Sequence, residues 1–220
     1  IGFGTIFLKK GYSLQRTYAL SKLESAMMPA IQVGLLVLVV TAPAFIFFSQ
    51  KGPGAMHAPW LISLAAGLVV GGLSQFSRLC TVGGFRDLFL FKKSILIFGY
   101  LAVLIGVFVV NISFGNFHLG FENQPIAHTD GLWNFLGMAL AGFCSVLLGG
   151  CPLRQLIMTG EGNSDSAVTV LGLAAGAAFA HNFGLAASGA GPTLNGQIAV
   201  GVGFIVALII AILNTKRANA

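Results

Sequence analysis

The chain has 220 residues, of which 56% are hydrophobic and only 8% are charged. Its mean hydropathy is +0.89, and a soluble domain usually carries roughly a quarter charged residues. This composition excludes a water-soluble globule and predicts an all-α protein that crosses a membrane several times. The net charge of +6 does not indicate nucleic-acid binding, because the basic residues flank apolar segments instead of forming a polar patch.

Long uncharged segments predict the membrane spans, since about 20 apolar helical residues cross a bilayer core. The last such segment, 166–215, is long enough for two spans, and the turn-forming run 188–192 divides it. We predict a single transmembrane domain over residues 1–220. Its six spans are 27–49, 57–74, 94–112, 132–150, 166–186 and 196–213.

The basic residues predict the orientation of these spans. With both termini in the cytoplasm, all of the 12 Lys and Arg residues except Lys51 lie on the inner side. The prediction is therefore N-in and C-in. The apolar opening, residues 1–8, resembles the tail of an earlier helix, so we expect the chain to be the C-terminal part of a longer protein.

Spans two and four end in similar sequences, which indicates an internal repeat. The matching residues are Gly71 and Gly142, Ser74 and Ser145, and Cys80 and Cys151. The run 149–152, Gly-Gly-Cys-Pro, interrupts a helix, and Pro152 fits the first position of a new half-helix. Non-helical backbone at membrane depth lines a cavity or is buried in protein. We therefore predict two re-entrant loops, each with a Cys at its break.

These two breaks carry the side chains that we predict to bind a substrate. Cys80 lies between Arg78 and Arg86, and Cys151 precedes Arg154 by three residues. Nearby positive charge favours the thiolate and attracts anions, and sulfur suits a soft partner. The pairing therefore fits a small, soft chalcogen anion such as thiosulfate. The further candidates can form hydrogen bonds, and they are Gln75, Gln155, His181 and Asn182.

Structural explanations stay open for some of these candidates. Arg86 is followed by Asp87, with which it can form a local ion pair. His181 and Asn182 lie inside an apolar run, where a polar pair is a functional candidate, but a helix–helix hydrogen bond explains them equally well.

Two other features have mainly structural interpretations. Cys144 lies within a span and is expected to pack, because buried Cys usually behaves as a small hydrophobe. Residues 161–165 are expected to form a solvated inner loop, in which Asn163 or Asp165 caps the next helix. A disulfide between Cys80 and Cys151 requires that their two loops meet.

Two motifs resemble the signature of the YeeE/YedE family of bacterial inner-membrane proteins. They are residues 74–87, SQFSRLCTVGGFRD, and residues 149–156, GGCPLRQL, continued by residues 160–163 and 180–184. The second motif is most similar to the YedE branch, which is associated with selenium metabolism. The resemblance implies uptake of a sulfur or selenium compound across the inner membrane. It further implies that Cys80 and Cys151 pass the anion along by S–H···S hydrogen bonds.

The expected partners are therefore a small sulfur- or selenium-containing anion, membrane lipid and, as a candidate, a cytoplasmic protein that accepts the chalcogen. We expect no cofactor and no nucleic acid. The three cysteines lack a Cys-x-x-Cys spacing, which argues against a metal site, and no P-loop sequence occurs. Two alternatives to a transporter stay open: a membrane sulfur- or selenium-transferase that carries the chalcogen as a Cys persulfide, and a scaffold subunit of a membrane complex.

Overall fold

The structure is a computed structural model that describes residues 1–14, 18, 21–45, 55, 58–120 and 128–217. Within these residues the chain forms nine helices and no β-strand, which confirms the all-α class. The helices are α1 Gly2–Lys9, α2 Lys22–Thr41, α3 Trp60–Ser77, α4 Thr81–Phe91, α5 Ile95–Ser113, α6 Gly131–Leu147, α7 Pro152–Gly160, α8 Ser164–Asn182 and α9 Leu194–Arg217. Ser188 and Gly191 form an isolated bridge at the predicted turn between α8 and α9.

Five helical stretches are long and apolar enough to cross a membrane, so the chain is a multi-pass membrane protein. They are Lys22–Thr41, Trp60–Phe91, Ile95–Ser113, Gly131–Gly160 and Leu194–Thr215, and each overlaps one predicted span. The remaining predicted span, 166–186, forms α8, which is not among the five. The hydropathy of α8 is lowered by Asp165 at its start and by His181 and Asn182 at its end. Its many Ala and Gly residues raise the hydropathy only slightly. A sixth span therefore stays a prediction.

Lipid-facing surface dominates α2 and α5. Neither helix has a buried residue, and the most apolar part of α5 has a mean hydropathy of 2.7. Exposure of such an apolar surface to water would be unfavourable, whereas the hydrocarbon core of a bilayer is equally apolar. This explains why so many large apolar side chains of the chain are exposed.

Polar residues at the helix starts fix where the helices begin. Ser21 caps α2 in a capping box, in which Ser21 N donates to Glu24 Oε2 at 2.8 Å and Glu24 N donates to Ser21 Oγ at 3.4 Å. Asn163 caps α8, since Ser166 N donates to its Oδ1 at 2.9 Å. The predicted cap at residue 163 is therefore confirmed.

The core lies where α1 packs against α4, α6 and α9. One buried cluster comprises Tyr12, Phe143, Leu147, Ala207 and Ala211, and Cys144 packs against it as predicted. A side chain on Gly4 would lie 2.9 Å from Val146, so α1 and α6 are in close contact. The short opening helix is thus an integral part of the core. A second cluster holds Cys80, Val82, Val146 and Cys151.

Candidate functional site

The two Cys-bearing breaks have the same backbone geometry. At the end of α3, Leu79 N donates to Ser74 O at 3.1 Å, and at the end of α6, Gly150 N donates to Ser145 O at 3.1 Å. In both cases the N–H donates to the carbonyl five residues earlier, which is the hydrogen bond of a Schellman motif at the end of a helix. The corresponding positions are separated by the same 71 residues as Cys80 and Cys151. The backbone therefore supports the internal repeat.

Each motif places one residue in the left-handed region and then starts a new helix at a Cys. Arg78 has φ 52° and Gly149 has φ 81°. Cys80 is the N-cap of α4, and Cys151 is the N-cap of α7. Pro152 occupies the first turn of α7, as predicted. Each apolar helix is thus followed by a short helix that begins at a thiol.

The two thiols meet in the interior. Cys80 Sγ accepts hydrogen bonds from Gly83 N at 3.2 Å and from Cys151 N at 3.5 Å. Both cysteines are only 7% exposed, and both are free thiols. Val82 and Val146 pack beside them. The chain therefore brings together two sulfur atoms from opposite halves of the repeat.

Two helix N-termini converge on this thiol pair, because Cys80 and Cys151 are the N-caps of α4 and α7. A helix N-terminus carries a partial positive charge and unpaired N–H groups, which favour anions. Cys80 caps α4 through its sulfur, whereas the Cys151 side chain makes no cap bond. The site thus combines soft sulfur atoms with a positive field.

Arg86 forms the ion pair that the sequence left open. Its Nη2 atom lies 2.8 Å from Asp87 Oδ1, and its Nε donates to the same oxygen at 2.9 Å. Arg86 also lines a cavity of about 120 Å³ that reaches Val82 and Val146 of the Cys cluster. At about 30 Å³ per water molecule, this space suits a small ion and not a large solute.

Tyr12 borders the same cavity and was not predicted from the sequence. Its hydroxyl donates to Leu147 O at 3.3 Å, at the end of α6. Only the fold brings it there, because the two residues are 135 positions apart. No local pattern around Tyr12 signals this contact.

Arg154, Gln75 and Glu161 form a polar triad that joins the end of α3 to α7. Arg154 Nη1 donates to Gln75 Oε1 at 3.3 Å, and Arg154 Nη2 lies 3.6 Å from Glu161 Oε2. Gln75 Nε2 donates to Glu161 Oε1. We expected Glu161 only in a solvated loop. The sequence feature that could have indicated this contact is the seven-residue spacing between Arg154 and Glu161, which is about two helical turns.

Arg78 and Gln155 have contrasting surroundings. Arg78 is exposed at the end of α3, so its charge is accessible. Gln155 is 3% exposed, and its Nε2 donates to Leu148 O at 2.9 Å. Its amide therefore closes the end of α6, which gives this predicted site residue a structural bond.

The structure places His181 and Asn182 at the other end of α8 from the loop that joins α7. At 1.5 Å per residue they lie about 27 Å along the helix axis from Ser164. Asn182 Nδ2 donates to Ala178 O within its own helix at 2.8 Å, and both residues are exposed. They are not part of the cluster around the two thiols.

Among the described residues, no group of three or more His, Cys, Asp or Glu side chains could hold a metal ion. A larger cavity of about 800 Å³ lies between α6, α9 and the end of α8, and Cys144 lines it. Its walls are almost entirely apolar, so it does not suit an anion.

Comparison with known proteins gives one match. The family model described as sulphur transport matches residues 76–216, which is more than half of the 220 residues. The matched region includes both Cys-bearing breaks. No curated protein and no solved structure matches the chain.

Proposed function

The chain belongs to the sulphur transport family, and from this premise we propose that it carries a small sulfur- or selenium-containing anion inward across a bacterial inner membrane. Cys80 and Cys151 would contact the soft atom of the anion. Thiosulfate fits this chemistry because it has a soft terminal sulfur and a hard oxyanion end. A selenium compound is proposed as well, since the second break resembles the YedE branch.

The meeting of Cys80 and Cys151 is the observation that carries the proposal. Secondary transporters bind their substrates where broken helices from two repeats meet near the bilayer midplane. Here both breaks have the same backbone geometry, and the Cys80 sulfur accepts a hydrogen bond from the Cys151 backbone N–H. Each thiol is a weak S–H donor, while the two helix N-termini favour the oxyanion.

The cations around the pair have separate roles in this proposal. Arg78 is exposed and attracts the anion, whereas Arg154 with Gln75 holds its oxyanion end beside Cys151. Arg86 lines the small cavity that Val82 and Val146 also border and receives the anion there. Gln155 keeps α6 and α7 together, and His181 and Asn182 remain predicted contacts at the other end of α8.

Uptake into liposomes tests this proposal. The protein is reconstituted, and uptake of labelled thiosulfate and selenite is measured for wild type, Cys151→Ala and the matched variant Cys144→Ala. Loss of a buried hydrogen-bonding group costs about 1–3 kcal/mol, so Cys151→Ala should reduce uptake about tenfold or more. Cys144→Ala should transport like wild type, because Cys144 packs against the apolar core. Equal uptake by Cys151→Ala and wild type would contradict a role for the thiols.

Two adjacent free thiols also fit a sulfur- or selenium-transferase, in which the thiolate of one Cys attacks the outer sulfur of thiosulfate, breaks its S–S bond, releases sulfite and carries the sulfur as a persulfide. Mass spectrometry distinguishes this alternative. A stable adduct of about 32 Da for sulfur or about 80 Da for selenium on Cys151, lost on addition of a thiol acceptor, indicates transfer chemistry. Uptake without such an adduct indicates transport by hydrogen bonding alone.

A further inference from the structure

We infer that Glu161 is an internal competitor for the transported anion: its carboxylate occupies the guanidinium of Arg154 until the substrate displaces it. This inference rests on the proposed function and names a regulating residue of the same site. We call the group formed by Gln75, Arg154 and Glu161 the Arg154 triad.

The Arg154 triad is a closed ring of polar contacts between three segments. Arg154 contacts Gln75 Oε1 at 3.3 Å and Glu161 Oε2 at 3.6 Å. The Gln75 amide nitrogen donates to the other carboxylate oxygen of Glu161. The ring therefore joins the end of α3, the start of α7 and the loop after α7. In the proposed site both Arg154 and Gln75 bind substrate, yet here both are occupied by Glu161.

The position of Arg154 makes its partner relevant to the substrate. Arg154 follows the α7 cap Cys151 by three residues, and in the proposed function its guanidinium holds the oxyanion end of the substrate. A guanidinium binds carboxylates and other oxyanions with the same fork of N–H donors. The Glu161 carboxylate and the oxyanion end of a substrate therefore compete for the same donors.

The geometry of the pair allows such an exchange. Charge-assisted N–H···O bonds are strongest at about 2.7–2.9 Å, whereas Arg154 and Glu161 are 3.6 Å apart. The Arg154 side chain is 20% exposed and the Glu161 side chain 36%, so the carboxylate is already partly in solvent. Gly162 follows Glu161 with a φ of 87° and lies in the loop between α7 and α8. Glu161 can leave while Arg154 stays on α7.

The other ion pair of the site has a different geometry. Arg86 and Asp87 are neighbours on α4 and lie 2.8 Å apart. That pair is short and stays within one element, whereas the Arg154 triad connects the two halves of the repeat. Displacement of Glu161 also frees the Gln75 amide to donate to the substrate. Binding of an anion thus exchanges a contact between the repeats for a contact with substrate.

The test uses the full chain in liposomes, with labelled thiosulfate as the probe. Glu161→Gln removes the competing charge and retains hydrogen-bonding ability. An exposed ion pair is worth only a small free energy, so its removal should lower KM about two- to sixfold without lowering kcat. Glu24→Gln is the matched control, because Glu24 Oε2 accepts from Ser21 N in its own capping box and Gln serves there equally well. It should leave KM unchanged.

A second pair of variants separates competition from a merely structural contact. Arg154→Gln should raise KM, and adding Glu161→Gln to it should have no further effect, because the donor for which the two anions compete is gone. If Glu161→Gln raises KM or leaves it at the wild-type value, the inference is wrong. An equal KM decrease in the Arg154→Gln background also contradicts it, since the effect would then be a general one of charge.

Direct binding of thiosulfate to detergent-solubilised protein distinguishes this inference from the proposed function. Tighter binding to Glu161→Gln than to wild type, without uptake by either, supports the competitor and contradicts transport. Normal uptake with equal affinity of the two proteins overturns the competitor alone. The absence of binding to every variant overturns both.

Discussion

The two Cys-bearing breaks share a backbone but are fixed by different contacts. Each ends a long helix with the same Schellman bond and starts a short helix at a Cys. After Cys80, Gly84 lies directly against the start of α5, where an added side chain would be 3.2 Å from Ile97 N. The corresponding residue after Cys151 is Gln155, which donates to Leu148 O at 2.9 Å. At these corresponding positions, backbone packing at Gly84 holds the first break, whereas the side-chain hydrogen bond of Gln155 holds the second.

This difference indicates where the molecule can change during transport. Contacts between backbones cannot be exchanged without separating two helices. Side-chain hydrogen bonds can be exchanged for bonds to a ligand at little net cost. We therefore expect the second break, with Gln155 and Arg154, to adjust to the substrate while the first break stays fixed. The following substitutions test the contrast, from the largest expected effect to the smallest.

Gln155→Leu should have the largest effect on stability. It removes the donor to Leu148 O and leaves a carbonyl at the end of α6 unpaired, which costs about 1–3 kcal/mol. Gln32→Leu is the matched control, because Gln32 is exposed on α2 and should change stability by less than about 0.5 kcal/mol. Thermal unfolding in detergent measures both. If Gln155→Leu unfolds at the same temperature as wild type, side-chain hydrogen bonds do not hold the second break.

Gly149→Ala and Arg78→Gly exchange the residue types at the left-handed positions of the two breaks. A left-handed residue other than Gly is strained by about 1–2 kcal/mol, so Gly149→Ala should lose about that much stability. Arg78→Gly should gain about 0.5 kcal/mol, because relief of the strain exceeds the entropy cost of a new Gly.

The control for this exchange is Gly137→Ala, since an added side chain at Gly137 in α6 meets no atom within 4 Å. It should not destabilise the protein. Thermal unfolding of all three variants gives the comparison. Equal losses in Gly149→Ala and Arg78→Gly would show that the two turns do not share one geometry.

Much of the second break was predictable from the sequence, because its signals are local. Pro152 has no N–H and fits the start of a helix, and Asn163 is a preferred cap. The break after α3 has no Pro, and Arg78 gives no sign of its left-handed conformation. Its position followed only from the repeat, which relates Cys80 to Cys151.

The contacts between distant segments were not predictable. Tyr12 lies 135 residues from Leu147, and Gln75 lies 86 residues from Glu161. Hydrophobic periodicity places a helix in the bilayer but does not give its neighbours, since lipid and protein interiors are equally apolar. The occupied state of Arg154 therefore became evident only in the structure.

The smallest predicted effect separates the roles of the two cysteines. Both are 7% exposed, so truncation to Ala removes similar packing, but only Cys80 caps a helix, by accepting from Gly83 N at 3.2 Å. Cys80→Ala should therefore unfold more easily than Cys151→Ala by about 0.5–1 kcal/mol, the lower end of the range for N-caps.

Cys80→Ser should restore that stability, because its hydroxyl is a good cap, and should still fail to transport, because oxygen is a poor partner for a soft sulfur or selenium atom. Thermal unfolding and liposome uptake of the same preparations measure the two properties separately. A Ser variant that regained both would mean that position 80 needs only a cap. Stability without transport would show that the cap at position 80 needs only an acceptor, whereas the soft-atom contact needs the sulfur of Cys80.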